Sequence, residues 1–193
     1  ATVTVADSQT MTAAYSVLNG KTVNHDGSEN AQGLVVTINN ADRAADLNNI
    51  TSDITNMTAQ FTENQTFTGD LNSKSATVDN GVTVTAAAAD VTGDTISGAG
   101  TVAVTALDAT LAADLSGITA NTVTAAFDDD GTFTGDLGSA TTTVAATKTM
   151  TAAASVVTGE TINGAGTVAV TALHSTLAAD LSGITANTVT AAF

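Results

Sequence analysis

Short runs in which apolar and polar residues alternate, broken by glycines and acids, fill the whole chain. In Val82-Thr83-Val84-Thr85-Ala86, Val82, Val84 and Ala86 share one face and the two threonines the other, the period-two signature of a half-buried strand. A phrase of this kind, Val or Met followed by Thr and then a small residue, starts at Met11, Val36, Met57, Val84, Val104, Val123, Met150, Val170 and Val189. An acid follows each phrase at Asp46, Asp70, Asp94, Asp114, Asp136, Glu160 and Asp180, while Lys21 takes that place after the first. An apolar residue stands three positions earlier (Leu18, Phe67, Val91, Leu111, Phe133, Val157, Leu177), with Arg43 the single exception. Another follows within two positions, at Val23, Leu47, Leu71, Ile96, Leu115, Leu137, Ile162 and Leu181.

The phrases belong to a longer repeat. LAADLSGITANTVTAAF occurs unchanged at 111–127 and 177–193, a shift of 66 residues, and Phe67-Thr-Gly-Asp-Leu returns at Phe133 with the same shift. The chain therefore divides into a diverged unit 1–75 with an insertion around 25–30, a unit 76–141 and a partial unit 142–193. A sub-repeat near 22 residues, rich in β-branched residues and glycine corners and free of proline, predicts an all-β parallel β-solenoid of about nine coils, three to each 66-residue unit. A row of small β-sandwich modules is the rival, but 66 residues are few for a sandwich of about 100. At the strand spacing of a sheet the solenoid would be about 40 Å long.

Stacking the phrases gives columns. The Val/Met column and the apolar residues before the acids are expected inside. Thr12, Thr37, Thr58, Thr85, Thr105, Thr124, Thr151, Thr171 and Thr190 are expected to form one outer ladder. Phe61, Phe67, Phe127, Phe133, Phe193 and Tyr15 would fill the wider end of a thin cross-section.

Composition then narrows the function. There are 39 Thr and 37 Ala, no Cys, no Trp and no Pro, and four basic residues against nineteen acidic ones give a net charge of −15. With Lys21, Arg43, Lys74 and Lys148 far apart, a phosphate-binding nucleic-acid surface is excluded. Disulfides and thiolate metal sites are excluded by the lack of cysteine, and no apolar run approaches the roughly 18 residues of a membrane helix. Phrases such as TVAVTALDATLAADLSGITANTVTAAF resemble the Thr/Ala/Asp-rich repeat arrays of large secreted bacterial surface proteins, the S-layer, fibril and adhesin class. The resemblance implies an extracellular, non-catalytic structural role. The paired-glycine nonapeptide of calcium-binding β-rolls is absent, so that metal site does not carry over.

Candidate chemistry is sparse. His25 lies in the insertion and His174 stands where the sister unit has Asp108, so neither belongs to a repeated site, and no catalysis or small-molecule substrate is expected. The densest acid cluster, Asp128, Asp129 and Asp130 with Asp136 nearby, has two readings: local turns, or oxygen ligands for calcium. The threonine ladder raises ice binding as an alternative, and an adhesin segment is another. Asn49, Asn56 and Asn64 open glycosylation-type triplets. The first residues, ATVTVADSQTMTAA, parallel ATTTVAATKTMTAA from Ala140, and Phe193 is the counterpart of Phe127, so both ends fall within the repeat. Copies of the chain are therefore the expected partners, head to tail into a filament or laterally into a layer.

Overall fold

The structure, a computed structural model, describes residues 1–27, 33–174, 176 and 178–192. Part of the insertion (28–30), Leu177 and Phe193 lie outside them. The chain is an all-β parallel solenoid of about nine turns. The first unit contributes β1 (Thr2–Val5), β2 (Thr10–Ala14), β3 (Thr22–His25), β4 (Gly33–Ile38), β5 (Thr51–Ser52), β6 (Asn56–Phe61) and β7 (Gln65–Phe67). The second contributes β8 (Ala76–Val78), β9 (Thr83–Ala87), β10 (Ile96–Gly98), β11 (Thr101–Leu107), β12 (Thr122–Phe127) and β13 (Gly131–Phe133). The third contributes β14 (Thr141–Val144), β15 (Thr149–Ala153), β16 (Thr161–Gly164), β17 (Thr167–Thr171) and β18 (Thr188–Ala191). Single helical turns, α1 (Tyr15–Leu18), α2 (Ala88–Val91) and α3 (Ala154–Val157), make one corner in the first coil of each unit.

Every strand pair among the described residues is parallel, and within a unit like positions stack from coil to coil, with one irregularity in β11 between Val104 and Leu107. The inner column reads Met11–Leu34–Met57 in the first unit, Val84–Val102–Val123 in the second and Met150–Val168–Val189 in the third. Two residues on, the next inner column reads Ala13–Val36–Ala59, Ala86–Val104–Ala125 and Ala152–Val170–Ala191. The middle coil of each unit thus carries a valine between two alanines, and the column packs without widening.

This register corrects the expected ladder. Thr12, Thr85 and Thr151 face Val35, Ala103 and Ala169, so the threonine column is broken at each middle coil. Thr37, Thr105 and Thr171 sit two residues further along. Unbroken outer threonine columns run instead through Thr83–Thr101–Thr122 and Thr149–Thr167–Thr188, and through Thr2–Thr22–Thr51 and Thr124–Thr141–Thr161. The cause is the corner before the strand. Gly100 N–H donates to Val78 O at 3.1 Å and Thr101 N–H to Val82 O at 2.8 Å, which seats Thr101 over Thr83. A Cβ on Gly100 would lie 2.6 Å from the Val82 oxygen, so the corner admits only glycine. One surplus residue is absorbed at the far end of β11, between Val104 and Leu107, where Ala106 adopts a φ of 52°, and Ala172 adopts 54° at the equivalent place in the third unit. A slip of two preserves the face, so the inward and outward assignments survive it.

The inner faces form one continuous core. Of the apolar residues before the acids, Leu18, Phe67, Val91, Phe133 and Val157 are buried and Leu111 is partly so. At the exception, Arg43 is exposed and Asp42 occupies the inward place, 6% exposed, with Oδ2 unpartnered. Met11 is half-buried and Val189 43% exposed, because β2 and β18 each pair with a single neighbour among the described residues. The aromatics do not crowd one wide end. Phe61–Phe67 and Phe127–Phe133 form two edge-to-face pairs with centroids 5.2 and 6.4 Å apart, each in the last coil of its unit. Such pairs contribute about 0.5–1.5 kcal/mol beyond area burial.

Those coils precede a step. The second unit does not stack like on like over the first: β8 pairs with the end of β6 and β9 with β7. The third repeats the move, β14 on the end of β12 and β15 on β13. Each coil passes three stations, as β10, β11 and the 108–115 turn do. Each new unit is therefore laid down one station further round than the last.

Thr142, at the start of this second step, is fully buried and its hydroxyl has no partner, while the equivalent position in the second unit is Ala76. Thr142→Val removes an unsatisfied hydroxyl at constant volume and is expected to stabilise the fold by about 1 kcal/mol, read as a higher urea midpoint with unchanged slope.

Candidate functional site

An acid ladder runs along the described chain from Asp46 to Asp180. In Ala-Ala-Asp-Leu and Thr-Gly-Asp-Leu the leucine turns inward: Leu47, Leu71, Leu115 and Leu137 are buried. The preceding acid therefore points out. Coils cross closely here, and a Cβ on Gly69 or Gly135 would collide with the carbonyl of Ala45 or Ala113. Asp46 stacks on Asp70 and Asp114 on Asp136 by isolated parallel bridges, with Leu47 N–H donating to Asp70 O and Leu115 N–H to Asp136 O, both at 2.9 Å.

The carboxylates are occupied locally. Asp46 accepts the Asn48 N–H at 2.9 Å, Asp70 that of Asn72 at 2.6 Å, Asp136 that of Gly138 at 2.8 Å and Asp180 that of Ser182 at 3.0 Å. Asp114 accepts both the N–H and the hydroxyl of Ser116, at 3.0 and 2.6 Å. Hydrogen bonds of this kind favour the ionised form. The Ser116 hydroxyl and amide hold the Asp114 carboxyl below its usual range, Ser182 does the same for Asp180, and Thr110 with Leu111 for Asp108.

Asp94 and Glu160 break this pattern. Each is the first acid of the ladder in its unit, and no hydrogen bond to either carboxyl is found among the described residues. Burial, and then the charge of Asp70, push Asp94 up to about 6, and burial with Asp136 raises Glu160. Asp70 and Asp94 line one surface groove of about 510 Å³ together with Asp90 and Thr92.

Of the cluster singled out for calcium, Asp128 is exposed, and Asp129 accepts the Asp130 N–H at 2.8 Å. Asp130 staples the next coil, accepting the Thr149 N–H at 2.7 Å and lying 3.4 Å from Lys148 Nζ. The neutral counterpart Asn64 holds Thr83 N–H in the same way at 2.7 Å. Among the described residues no three His, Cys, Asp or Glu side chains gather as a metal site, so Asp128, Asp129, Asp130 and Asp136 are not brought together as one.

The histidines also serve turns. His25 Nδ1 accepts the Gly27 N–H at 2.9 Å, and its Nε2 lies 3.6 Å from Asp53. His174 Nδ1 meets the Thr176 hydroxyl at 2.8 Å, the contact that Asp108 makes with Thr110 in the sister unit. Sequence reasoning missed Asp42 as an inward acid and the pairing of Asp70 with Asp94 across a step. The repeated spacing of 24 from Asp70 to Asp94 and from Asp136 to Glu160 was the available signal for the pairing.

No protein-family model, no curated protein and no solved structure matches the chain.

Asp130→Asn should leave stability within about 0.5 kcal/mol of the parent, since Asn64 performs the same task, whereas Asp130→Ala should cost about 1 kcal/mol. Calcium and sodium chloride at matched ionic strength should raise the melting temperature of the parent equally; a larger calcium effect that Asp130→Asn abolishes would restore the metal reading.

Proposed function

We propose that the chain is a non-catalytic, extracellular structural protein whose stacked coils form a cell-surface filament, sheath or layer. The observation that carries this reading is that one three-coil unit is laid down three times over a single continuous core. Length is added without any new kind of contact. Stability in such arrays comes from nearest-neighbour coils and grows with copy number. Outward positions are mostly Thr, Ser, Asn and Asp; His25 and His174 are engaged in turns, as are most of the ladder acids, with Asp94 and Glu160 the exceptions.

Copies of the chain are the proposed partners, head to tail. The segment 1–14 parallels 140–153, whose strand β14 seats on the second half of β12, and β18 is the counterpart of β12. By the same register, β1 of one copy fits the second half of β18 of another, with Thr2 opposite Thr190. Thr188 and Ala192 direct their N–H groups back to β17's coil, so Val189 and Ala191 direct theirs to the open side. The charge of −15 opposes sideways clumping and leaves end-on hydrogen bonds available. Lateral packing into a layer is the variant of the same reading. Ice binding is a second reading, favoured by the columns Thr83–Thr101–Thr122 and Thr149–Thr167–Thr188; thermal hysteresis would select it.

Negative-stain electron microscopy of the concentrated chain should show rods that lengthen with concentration. Ala191→Pro, which removes one outward N–H from the edge strand, should shorten them at least several-fold. A chain that stays monomeric at every concentration, or rods indifferent to the proline, would overturn head-to-tail assembly.

A further inference from the structure

The two steps between units carry the same chemical arrangement, 66 residues apart. At the first, Asp70 closes the first unit with both oxygens engaged: Oδ1 accepts the Asn72 N–H at 2.6 Å and Oδ2 the Asn48 amide at 3.3 Å. Asp94, which opens the next coil, lies along the same groove with no hydrogen bond to its carboxyl among the described residues. At the second step Asp136 is held by the Gly138 N–H at 2.8 Å, and Glu160 takes the place of Asp94. The backbone around the unpartnered acid is fixed in both. Thr92 Oγ1 accepts the Asp114 N–H at 2.8 Å and Thr158 Oγ1 the Asp180 N–H at 2.8 Å. Gly93 and Gly159 donate to the carbonyls of Asp114 and Asp180, each at 2.8 Å. The backbone before each acid is thus held to the next coil, and at the first step the acid shares its groove with a second carboxylate.

We propose that these two steps are proton-operated joints, loosened when the carboxylates Asp70/Asp94 and Asp136/Glu160 stand charged side by side and closed when Asp94 and Glu160 take up protons. The 68–75 turn presents Asp70, and Lys74 of that turn does not line the groove. Helical turn α2 presents Asp90. The coil beyond presents Asp114, whose carboxylate is tied to Ser116. At the second joint Val156 replaces Asp90, so Asp136 and the Ser182-bound Asp180 are the facing acids. The raised values of Asp94 and Glu160 accord with this placement.

The sign follows from linkage. A carboxyl whose folded value lies above its unfolded value binds more protons when folded, so its contribution to stability grows as pH falls through about 6 for Asp94 and is lost as pH rises through it. Asp108, Asp114 and Asp180 are depressed and act oppositely: their contribution is complete above the ordinary carboxylate range and is lost as pH falls through their lowered values. The joints therefore tighten before the turns fail, and the array is most stable in mild acid. The joint belongs to the coil stack and does not depend on whether copies assemble.

The experiment is a urea midpoint for the whole chain from pH 7.5 to pH 4.5, with Asp94→Asn, Glu160→Gln and the double variant. The parent midpoint should rise as pH falls from 7.5 to about 5. Each single variant should be more resistant than the parent at pH 7.5 and lose part of the slope, and the double variant should lose most of it. Asp128→Asn, an exposed acid away from the steps, controls for net charge and should keep the parent slope. A double variant with the parent's slope, or a parent midpoint that falls steadily from pH 7.5, would overturn the proposal. If Asp128→Asn flattens the slope as much as Asp94→Asn, general charge repulsion is responsible and the joint reading fails.

Discussion

Everything in this molecule depends on one coil hydrogen-bonding to the next in register. A coil of about twenty residues encloses too little apolar surface to hold itself together, so each borrows its neighbour's. That requirement reaches into single side chains. Gly69 and Gly135 are glycine because a carbonyl of the coil below occupies the space of a Cβ, and Gly100 is glycine because the corner folds back on Val82. The alternation of alanine and valine in the second inner column keeps three coils at one thickness. The acids sit where they do because the following leucine must go in.

The step between units is where this regularity is interrupted. Within a unit, matched positions recur after 18 to 23 residues in the strands that carry the phrases, but Ala59 meets Ala76 and Thr124 meets Thr141 after 17. The pairing shifts from one strand to the next over one coil, and the two phenylalanine pairs lie there. Phe61 and Phe127 stack beneath Val78 and Val144, the ends of the first strands of the following units. All four rings are fully buried, and truncating one would leave a cavity of the kind that costs about 3–5 kcal/mol. The same coils place Asp70 and Asp136 beside the first acid of the next unit.

The repeat, the strand faces and the parallel solenoid were legible in the sequence because each rests on a local rule: period-two alternation, glycine at corners, an acid after each phrase. Register was not. Thr101-Val102-Ala103-Val104-Thr105 offers two valines on one face, and only the corner at Gly100, a contact with a residue eighteen positions earlier, decides which of them faces Val84. The step was hidden for a related reason: the spacing of 27 between Met57 and Val84 reads as a long coil, whereas it is a short coil plus one further station. At the acid cluster, the turn reading of Asp130 could be checked within the sequence itself, since Asn64 stands at the same place without a charge. Asp42 could not be foreseen, because a 3-10 turn at Asn40–Asp42 moves the inward position by one residue from Arg43.

Because each unit begins one station further round, the outer surface of the rod has no fixed front or back. The threonine columns of β9, β11 and β12 and those of β15, β17 and β18 lie on neighbouring sides, and the turns that carry the acids advance with them. The decoration therefore winds around the axis like the stripe on a barber's pole. Only every third unit would present the same chemistry in the same direction. A flat neighbour touching such a rod would meet acid, threonine and bare corner in rotation, so adhesion along its length would be periodic, and two rods lying side by side could mesh only at offsets that are whole turns of that stripe.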